Sequence, residues 1–215
     1  MRMTMTIRRY AQERLRPRQT LPAVALVTAA AETAAGWRGA APAAADAAIA
    51  AALIVTFRIW DDLADRAIDA VAHPNRLSTR PESIRPLAGW AATMGIATAA
   101  ILWWRQGAIA LGLLAALTAV LACWYRLRAG RSAAGDHLRL LKYPVFAVLV
   151  AGVRPTVSVR GALSIVTAYL AVSVYEWWHD PRSPIGPRTR VAEATLLASA
   201  TLSLALVFFW GERVR

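Results

Sequence analysis

Four aspartates in the segment "RIWDDLADRAIDAVAHPNRL" stand at Asp61, Asp62, Asp65 and Asp69. On a continuing helix, at about 100° per residue, they fall near 0°, 100°, 40° and 80°, so all four share one face. Carboxylates stacked in this way repel one another by roughly a few tenths of a kcal/mol per pair. A divalent cation removes that repulsion. Mg²⁺ takes oxygen ligands, keeps several waters and is commonly held by one or two carboxylates plus substrate phosphates, so an aspartate row suits a metal–diphosphate complex better than a closed structural site. The metal would screen the diphosphate and improve it as a leaving group. The same spacing also suits a solvated helix end, neutralised by Arg58–Asp62 and Asp62–Arg66 pairs one helical turn apart.

Read on through Pro74, Asn75 and Arg76, the segment resembles the first signature of the UbiA superfamily of intramembrane prenyltransferases, roughly Asn-Asp-x-x-Asp-x-x-x-Asp and then Pro-x-Arg-Pro. Asp62, Asp65 and Asp69 match its aspartates. Asp61 stands where Asn is usual, which keeps an oxygen ligand and adds a negative charge, and Leu77 replaces the closing Pro. The resemblance implies Mg²⁺ held by Asp61, Asp62, Asp65 and Asp69, with Arg76 among the substrate-binding residues. It also implies a second acidic motif after the sixth helix, where the sequence reads "VYEWWHDPRSPIGPRTR". Glu176 and Asp180 there lie four residues apart, about 40° on a helix, which would let both face the first row across a cavity as further metal ligands. Gly186-x-x-Thr189 resembles the motif's usual ending, although the second run of aspartates is absent and Pro181 and Pro184 should end the helix early.

Other residues around these motifs have two readings each. Tyr175 and Trp178 suit cation stabilisation through their π faces, or a place at the membrane interface. His179 beside Asp180 is a candidate proton acceptor or a hydrogen-bonded loop residue. The stretch "YRLRAGRSAAGDHLRLLKYP" loosely resembles the family's Tyr-x-x-x-Lys/Arg region, which implies substrate contacts from Tyr125, Arg128 and Lys142. Lys142 is the only lysine in the chain, and Arg126, Arg128 and Arg131 have the bidentate geometry that phosphate favours. Basic residues at these places equally satisfy membrane topology with no ligand at all.

The elements that must position these groups are membrane helices. The chain has 215 residues, 57% of them hydrophobic and 18% charged, with a mean hydropathy of +0.40. Its apolar residues gather into runs of about 16–22, the length that a hydrocarbon core of about 30 Å asks of a helix. Expected spans run 20–36, 41–60, 86–104, 107–125, 138–153, 160–178 and 191–210. The fold class is therefore all-α, a polytopic transmembrane bundle of about seven helices in one domain (20–215), after a basic cytoplasmic segment (1–19) of amphipathic character. With the N-terminus inside, inward loops hold nineteen basic residues and outward ones six, as the positive-inside rule expects of an odd number of spans. That places the N-terminus in the cytoplasm, the C-terminus outside, and the protein in the cell's inner (plasma) membrane. Trp37, Trp60, Trp103, Trp104, Trp124, Trp177, Trp178 and Trp210 fall at span ends, where indole rings anchor at the headgroups.

Composition excludes several classes. The net charge of +12 alternates from loop to loop and forms no continuous basic face, which argues against nucleic acid. Cys123 is the single cysteine and is expected to pack in an apolar run, so there is no disulfide framework or thiolate cluster. The first nineteen residues lack the apolar core of a cleaved signal peptide. Glu32 and Asp46, acids within the first two spans, lie toward the outer side and away from the aspartate row. The Asp-Gly-x-x-Ala-Arg opening of CDP-alcohol phosphotransferases is absent, and the hydrophobic spans exclude the soluble isoprenoid synthases that share a DDxxD string.

The resemblance reaches from the second span to about residue 190, and the family usually has nine helices where this sequence supports seven. Its implied activity is Mg²⁺-dependent transfer of an isoprenoid group from a prenyl diphosphate to an aromatic acceptor within the bilayer. A membrane terpene cyclase using the same metal site, and a non-catalytic lipid-binding protein, are the alternatives. The missing helices leave one cavity wall open or supplied by a second copy of the chain.

Overall fold

A computed structural model describes residues 2–128, 130, 132–180 and 183–213. The described residues are helical with no strand: α1 (Arg2–Arg14), α2 (Pro17–Ala35), α3 (Ala40–Ala64), α4 (Arg66–Ala72), a single 3₁₀ turn (Leu77–Thr79), α5 (Pro81–Gln106), α6 (Ala108–Leu127), α7 (Ala133–Leu140), α8 (Lys142–Ala151), α9 (Val153–Thr156), α10 (Val159–His179) and α11 (Pro187–Arg213). Prolines open α2, α5 and α11, where a missing N–H costs nothing because the first turn has no partner for it. Ser132 and Ser158 cap α7 and α10, their hydroxyls accepting from the N–H groups of Gly135 and Gly161. Gly107, at a φ of +72°, is the whole connection between α5 and α6. Only a residue free to adopt that left-handed φ turns the chain back so tightly.

Among the described residues, four helices are long and apolar enough to cross a membrane: α3, α5, α6 and residues Pro187–Phe208 of α11. The protein is accordingly a helical integral membrane protein. The seven expected spans all fall on helices, but α2, α8 and α10 lie outside that set. The expected 138–153 span shows a physical reason. It divides at Leu141 into α7 and α8, although the Leu141 backbone stays helical and its N–H still reaches His137 O at 3.2 Å, and Pro144 just beyond has no N–H to return to the preceding turn; α8, past Leu141, has ten residues.

α8 is nevertheless the centre of the bundle. It packs against α2, α3, α6 and α10, and buries Phe146, Ala147, Leu149 and Val150 almost completely. A helix that stops within the apolar region needs partners for its terminal carbonyls. Gln106 at the end of α5 supplies one, its Nε2 donating to Leu149 O at 2.5 Å. Around α8 the core joins Val27 and Ala31 of α2 to Ala50, Leu53 and Phe57 of α3, Leu121 of α6 and Ala168 of α10. The alanines among them let backbones approach closely, which is how membrane helices gain packing energy when the solvent is itself apolar. α11 lies along α10, and α5 along α3.

Polar groups close the bundle at both ends. At one end Asp46, fully buried on α3, pairs with Arg105 of α5 at 2.7 Å and with Arg38, which also reaches Glu32 at 3.5 Å. The aspartate row begins fifteen residues further along α3, about 22 Å away. The separation of Glu32 and Asp46 from that row therefore matches the expectation. Cys123 does not: it is exposed. α6 buries Ala110, Leu117 and Leu121, and Cys123 stands two residues, about 200°, round from Leu121. Trp37, Trp103, Trp104 and Trp178 remain exposed near helix ends.

The corner between α9 and α10 is the tightest backbone approach. A Cβ added at Gly161 would lie 2.2 Å from Pro155 O and 2.7 Å from Thr156 Cα, both backbone atoms that cannot rotate away, whereas Gly89 in α5 faces open space. Gly161→Ala should lower the unfolding free energy in detergent by about 1–3 kcal/mol. Gly89→Ala should leave it unchanged or raise it by up to about 1 kcal/mol. Thermal unfolding of the two variants side by side checks this, and equal melting points would contradict the corner's tightness.

Candidate functional site

α3 carries the first two aspartates out of the core, and the helix breaks at Asp65, which caps α3 and opens α4. Backbone bonding runs on through the break. Asp65 N donates to Asp61 O and Asp69 N to Asp65 O, both at 2.8 Å, so the chain keeps a helical course through all four aspartates. Asp61, Asp62 and Asp69 are buried and Asp65 is partly exposed.

Each carboxylate has a basic partner from a different part of the chain. Lys142 Nζ, at the start of α8, donates to Asp61 Oδ2, and Tyr125 OH donates to Asp61 Oδ1 at 2.5 Å. Arg14 of α1 grips Asp62 with both arms of its guanidinium, Nε to Oδ2 at 2.8 Å and Nη2 to Oδ1 at 2.6 Å. Tyr10 OH, one turn earlier on α1, donates to the same Oδ2 at 2.7 Å. Arg128 at the end of α6 pairs with Asp65, and Arg76 Nη1 lies 2.6 Å from Asp69 Oδ2 but outside hydrogen-bond geometry. Of the two local pairs that the spacing suggested, Arg58 stands 4.0 Å from Asp62. The stronger partners are tertiary.

The pairing has electrostatic consequences. The hydrogen bond to Asp62 raises the Arg14 guanidinium above its ordinary value and holds it charged despite burial. Burial, followed by the adjacent Asp62 charge, pushes the Tyr10 phenol above its usual range and keeps it a donor. Stacking of Arg128 over Trp124 and Tyr125, at 4.8 and 4.7 Å to the ring centroids, orients the guanidinium that reaches Asp65.

Behind these partners lies a cavity of about 770 Å³. On each surrounding helix the polar lining residue stands at the helix end and an apolar one lies a turn or more further in. α3 offers Arg58 and then Ile54; α8 offers Lys142 and then Phe146; α2 begins at Gln19 and Thr20 and continues to Ala23 and Leu26. α10 contributes Val172 in the interior and Tyr175, Glu176, His179 and Asp180 at its end. Arg14 and Arg76 complete the polar end. The cavity is amphiphilic, with a charged mouth and an apolar interior.

The expected site residues divide accordingly. Arg76, Lys142, Tyr175, Glu176 and Asp180 line this one cavity. Asp61, Asp62, Asp65 and Asp69 are not among its lining residues, nor are Tyr125 and Arg128; the lining includes the cations that hold Asp61, Asp62 and Asp69. His179 stacks on Tyr175 at 3.9 Å between centroids, its Nδ1 2.9 Å from Tyr175 O. Trp178 and Arg126 are exposed away from the cavity. Arg131 and Pro181 lie outside the described residues.

Sequence reasoning missed Tyr10 and Arg14 as site residues. Their signal was present: they stand four apart on the amphipathic α1, so they share one face. It also missed Glu193 of α11, which is buried and accepts from Ser173 Oγ and Trp177 Nε1, each at 2.9 Å. His137 Nε2 stands 3.4 Å from Glu193, and its Nδ1 is 3.0 Å from Tyr169 OH. This network grips a face of α10 adjacent to the one that lines the cavity.

As a cation site the row offers no closed protein cage. Among the described residues, no three His, Cys, Asp or Glu side chains gather round a common point. A bare ion caged by protein is therefore not what these carboxylates suit. A divalent ion arriving with phosphate oxygens needs only one or two of them. Fold and cavity thus define a class: a helical membrane protein with an amphiphilic, cation-rimmed cavity at one end of its bundle. The chain matches no family model, no curated protein and no solved structure.

Two measurements test the pairing. Arg14→Ala should cost about 2–5 kcal/mol of stability by leaving Asp62 buried without its main partner, and a double-mutant cycle with Asp62→Ala should return a coupling of about 1–3 kcal/mol. A raised phenol stabilises the folded state fully below the unfolded chain's value of about 10 and loses that contribution as pH climbs through the folded value. Stability of the wild type should therefore fall above about pH 10, with a shallower fall in Tyr10→Phe. Identical slopes in alkaline unfolding would refute the role of Tyr10.

Proposed function

We propose that the protein binds an isoprenoid diphosphate in this cavity and, with Mg²⁺, transfers its isoprenoid group to an acceptor. The observation that carries the reading is the amphiphilic cavity itself. A molecule with a multiply charged phosphate head and a hydrocarbon tail matches a mouth holding Arg14, Arg58, Arg76 and Lys142 above Ile54, Phe146, Ala23 and Leu26. The resemblance of the aspartate segment to the UbiA signature supports the same ligand, and so does the presence of Glu176 and Asp180 on the facing wall.

In the proposed reaction the allylic C1–O bond breaks and its electron pair departs with the diphosphate. Mg²⁺ contributes charge neutralisation on that leaving group. Lys142 and the three arginines bind the departing phosphate oxygens. Tyr143, Phe146 and Tyr175 line the same space and present aromatic surface to the developing allylic cation. An aromatic acceptor's ring carbon forms the new bond to C1 and then loses its proton to a carboxylate, for which Glu176 and Asp180 are the candidates on the wall. The apolar interior keeps water from capturing the cation first. On this reading the charged mouth faces the cytoplasm of a plasma-membrane protein, in line with the basic bias of the loops around it.

A second reading has its own observation. The row's carboxylates are already paired with cations, and the described residues form no three-ligand cluster. That arrangement also suits a protein that holds a phosphate-headed lipid without transforming it.

Release of pyrophosphate from labelled prenyl diphosphates of several lengths, with Mg²⁺ and a panel of aromatic acceptors, separates the two. Transfer predicts release that falls by about 100-fold or more in Glu176→Gln and in Asp62→Asn. Prenylated product with an acceptor, against cyclised product without one, distinguishes transfer from cyclisation. Binding with no release under any condition would remove the transferase reading and leave the carrier.

A further inference from the structure

We infer that Glu32 and Asp46 share one proton, forming a buried proton-binding site at the end of the bundle opposite the cavity. The site stands on its own, whatever the cavity holds.

Two acids and two arginines meet at this end, and equal numbers suggest two complete ion pairs. The geometry divides them otherwise. Both cations go to Asp46, fully buried on α3: Arg105 of α5 lies 2.7 Å from its Oδ1, and Arg38, from the connection between α2 and α3, meets its Oδ2. Glu32 of α2 keeps only a 3.5 Å approach from Arg38 to its Oε1. The Glu32 side chain is 10% exposed, both its oxygens are closed off from solvent, and neither receives a hydrogen bond. Thr28, one turn earlier on α2, holds its own buried hydroxyl without a partner and so does not serve Glu32. What the Glu32 carboxyl does face is the Asp46 carboxyl, within hydrogen-bonding reach.

Two buried carboxylates in contact repel each other, and burial adds to the cost of the charged form, so one of them takes a proton. Glu32 is the one. As a neutral carboxyl it donates to Asp46, which stays ionised between its two arginines, and no charge is left buried without a partner. A proton on Asp46 would instead strand an anionic Glu32 without a donor and leave both arginines against a neutral acid. The other charged groups nearby do not change this balance. α10 adds Arg160, whose Nη2 lies 3.5 Å from where a Cβ on Gly36 would stand, and α9 adds Arg154, which is exposed. Among the described residues neither pairs with Glu32. α8, packed on both α2 and α3, bears its one charge, Lys142, at its far end. The shared proton thus ties the end of α2 to α3 across the connection 36–39. Folding takes up a proton that an unfolded glutamate, titrating at about pH 4.3, has released at neutral pH. The stabilisation is full below that value and declines as pH rises toward the titration of the folded pair.

Two measurements on the full-length protein test the site. Infrared spectra in lipid nanodiscs and heavy water at neutral pH, with the glutamate side-chain carboxyls isotopically labelled, should show the shifted carbonyl stretch of a protonated glutamic acid. Glu32→Gln should remove that band while its amide keeps a donor for Asp46. In reversible unfolding in detergent, the wild type should lose stability relative to Glu32→Gln by up to about tenfold in the equilibrium constant per pH unit between about pH 5 and 7. Parallel pH profiles for the two proteins would overturn the site. A band that survives Glu32→Gln would place the proton on another glutamate and overturn it as well. The wild-type spectrum decides the matter even where the variant fails to fold, because the absence of any protonated glutamate band leaves no proton to share.

Discussion

Carboxylates at the end of a helix bundle cannot be withdrawn from water unless each is met by a partner, because an unpaired buried charge costs several kcal/mol. Asp61, Asp62 and Asp69 are withdrawn in this way, and much of the architecture at that end answers the requirement. α1 folds back so that Tyr10 and Arg14 reach Asp62; the turn after α4 brings Arg76 to Asp69; α6 ends where Arg128 reaches Asp65; α8 begins where Lys142 reaches Asp61. Three segments remote in sequence, and the turn just after α4, are held by one row of acids.

α8 links that charged end to the apolar core. A ten-residue helix that starts with Lys142 keeps the ammonium at the charged end and still inserts Phe146, Leu149 and Val150 among α2, α3, α6 and α10. The cost of stopping short is an exposed set of helix-terminal carbonyls, and Gln106 offsets part of it. The cavity lies where this short helix, α2, α3 and α10 diverge, which explains why its lining passes from charged to apolar within about one turn.

α10 serves two surfaces at once. Val172, Tyr175, Glu176 and His179 turn toward the cavity, while Tyr169, Ser173 and Trp177, spaced four apart, turn toward His137 and Glu193. A hydrogen-bonded carboxylate at the second surface limits rotation of the helix, so the acids on the first surface keep their orientation. α11 contributes Glu193 to that arrangement although its membrane-crossing stretch is only 11% buried within the bundle.

Residue composition and run length determined the fold class, because a bilayer of fixed thickness imposes a helix length that is legible in one dimension. The helical course of the aspartate row was legible for a related reason: spacing along a helix is a local property. The expected depth of Glu32 and Asp46 followed from their place in the spans. What the spacing could not convey was partnership. The local Arg58–Asp62 pair is visible in sequence, yet the stronger bonds to Asp62 come from Tyr10 and Arg14, about fifty residues away, and no periodicity relates α1 to α3. The division of the fifth expected span at Leu141 was equally hidden, since an apolar run reads the same with or without such a change of course. Cys123 faces outward for the same reason: a lipid-facing side and a core-facing side are both apolar. Hydrophobicity sets which segments enter the membrane, but only the tertiary structure decides which face meets which neighbour, because that choice rests on pairing and shape between segments distant in sequence.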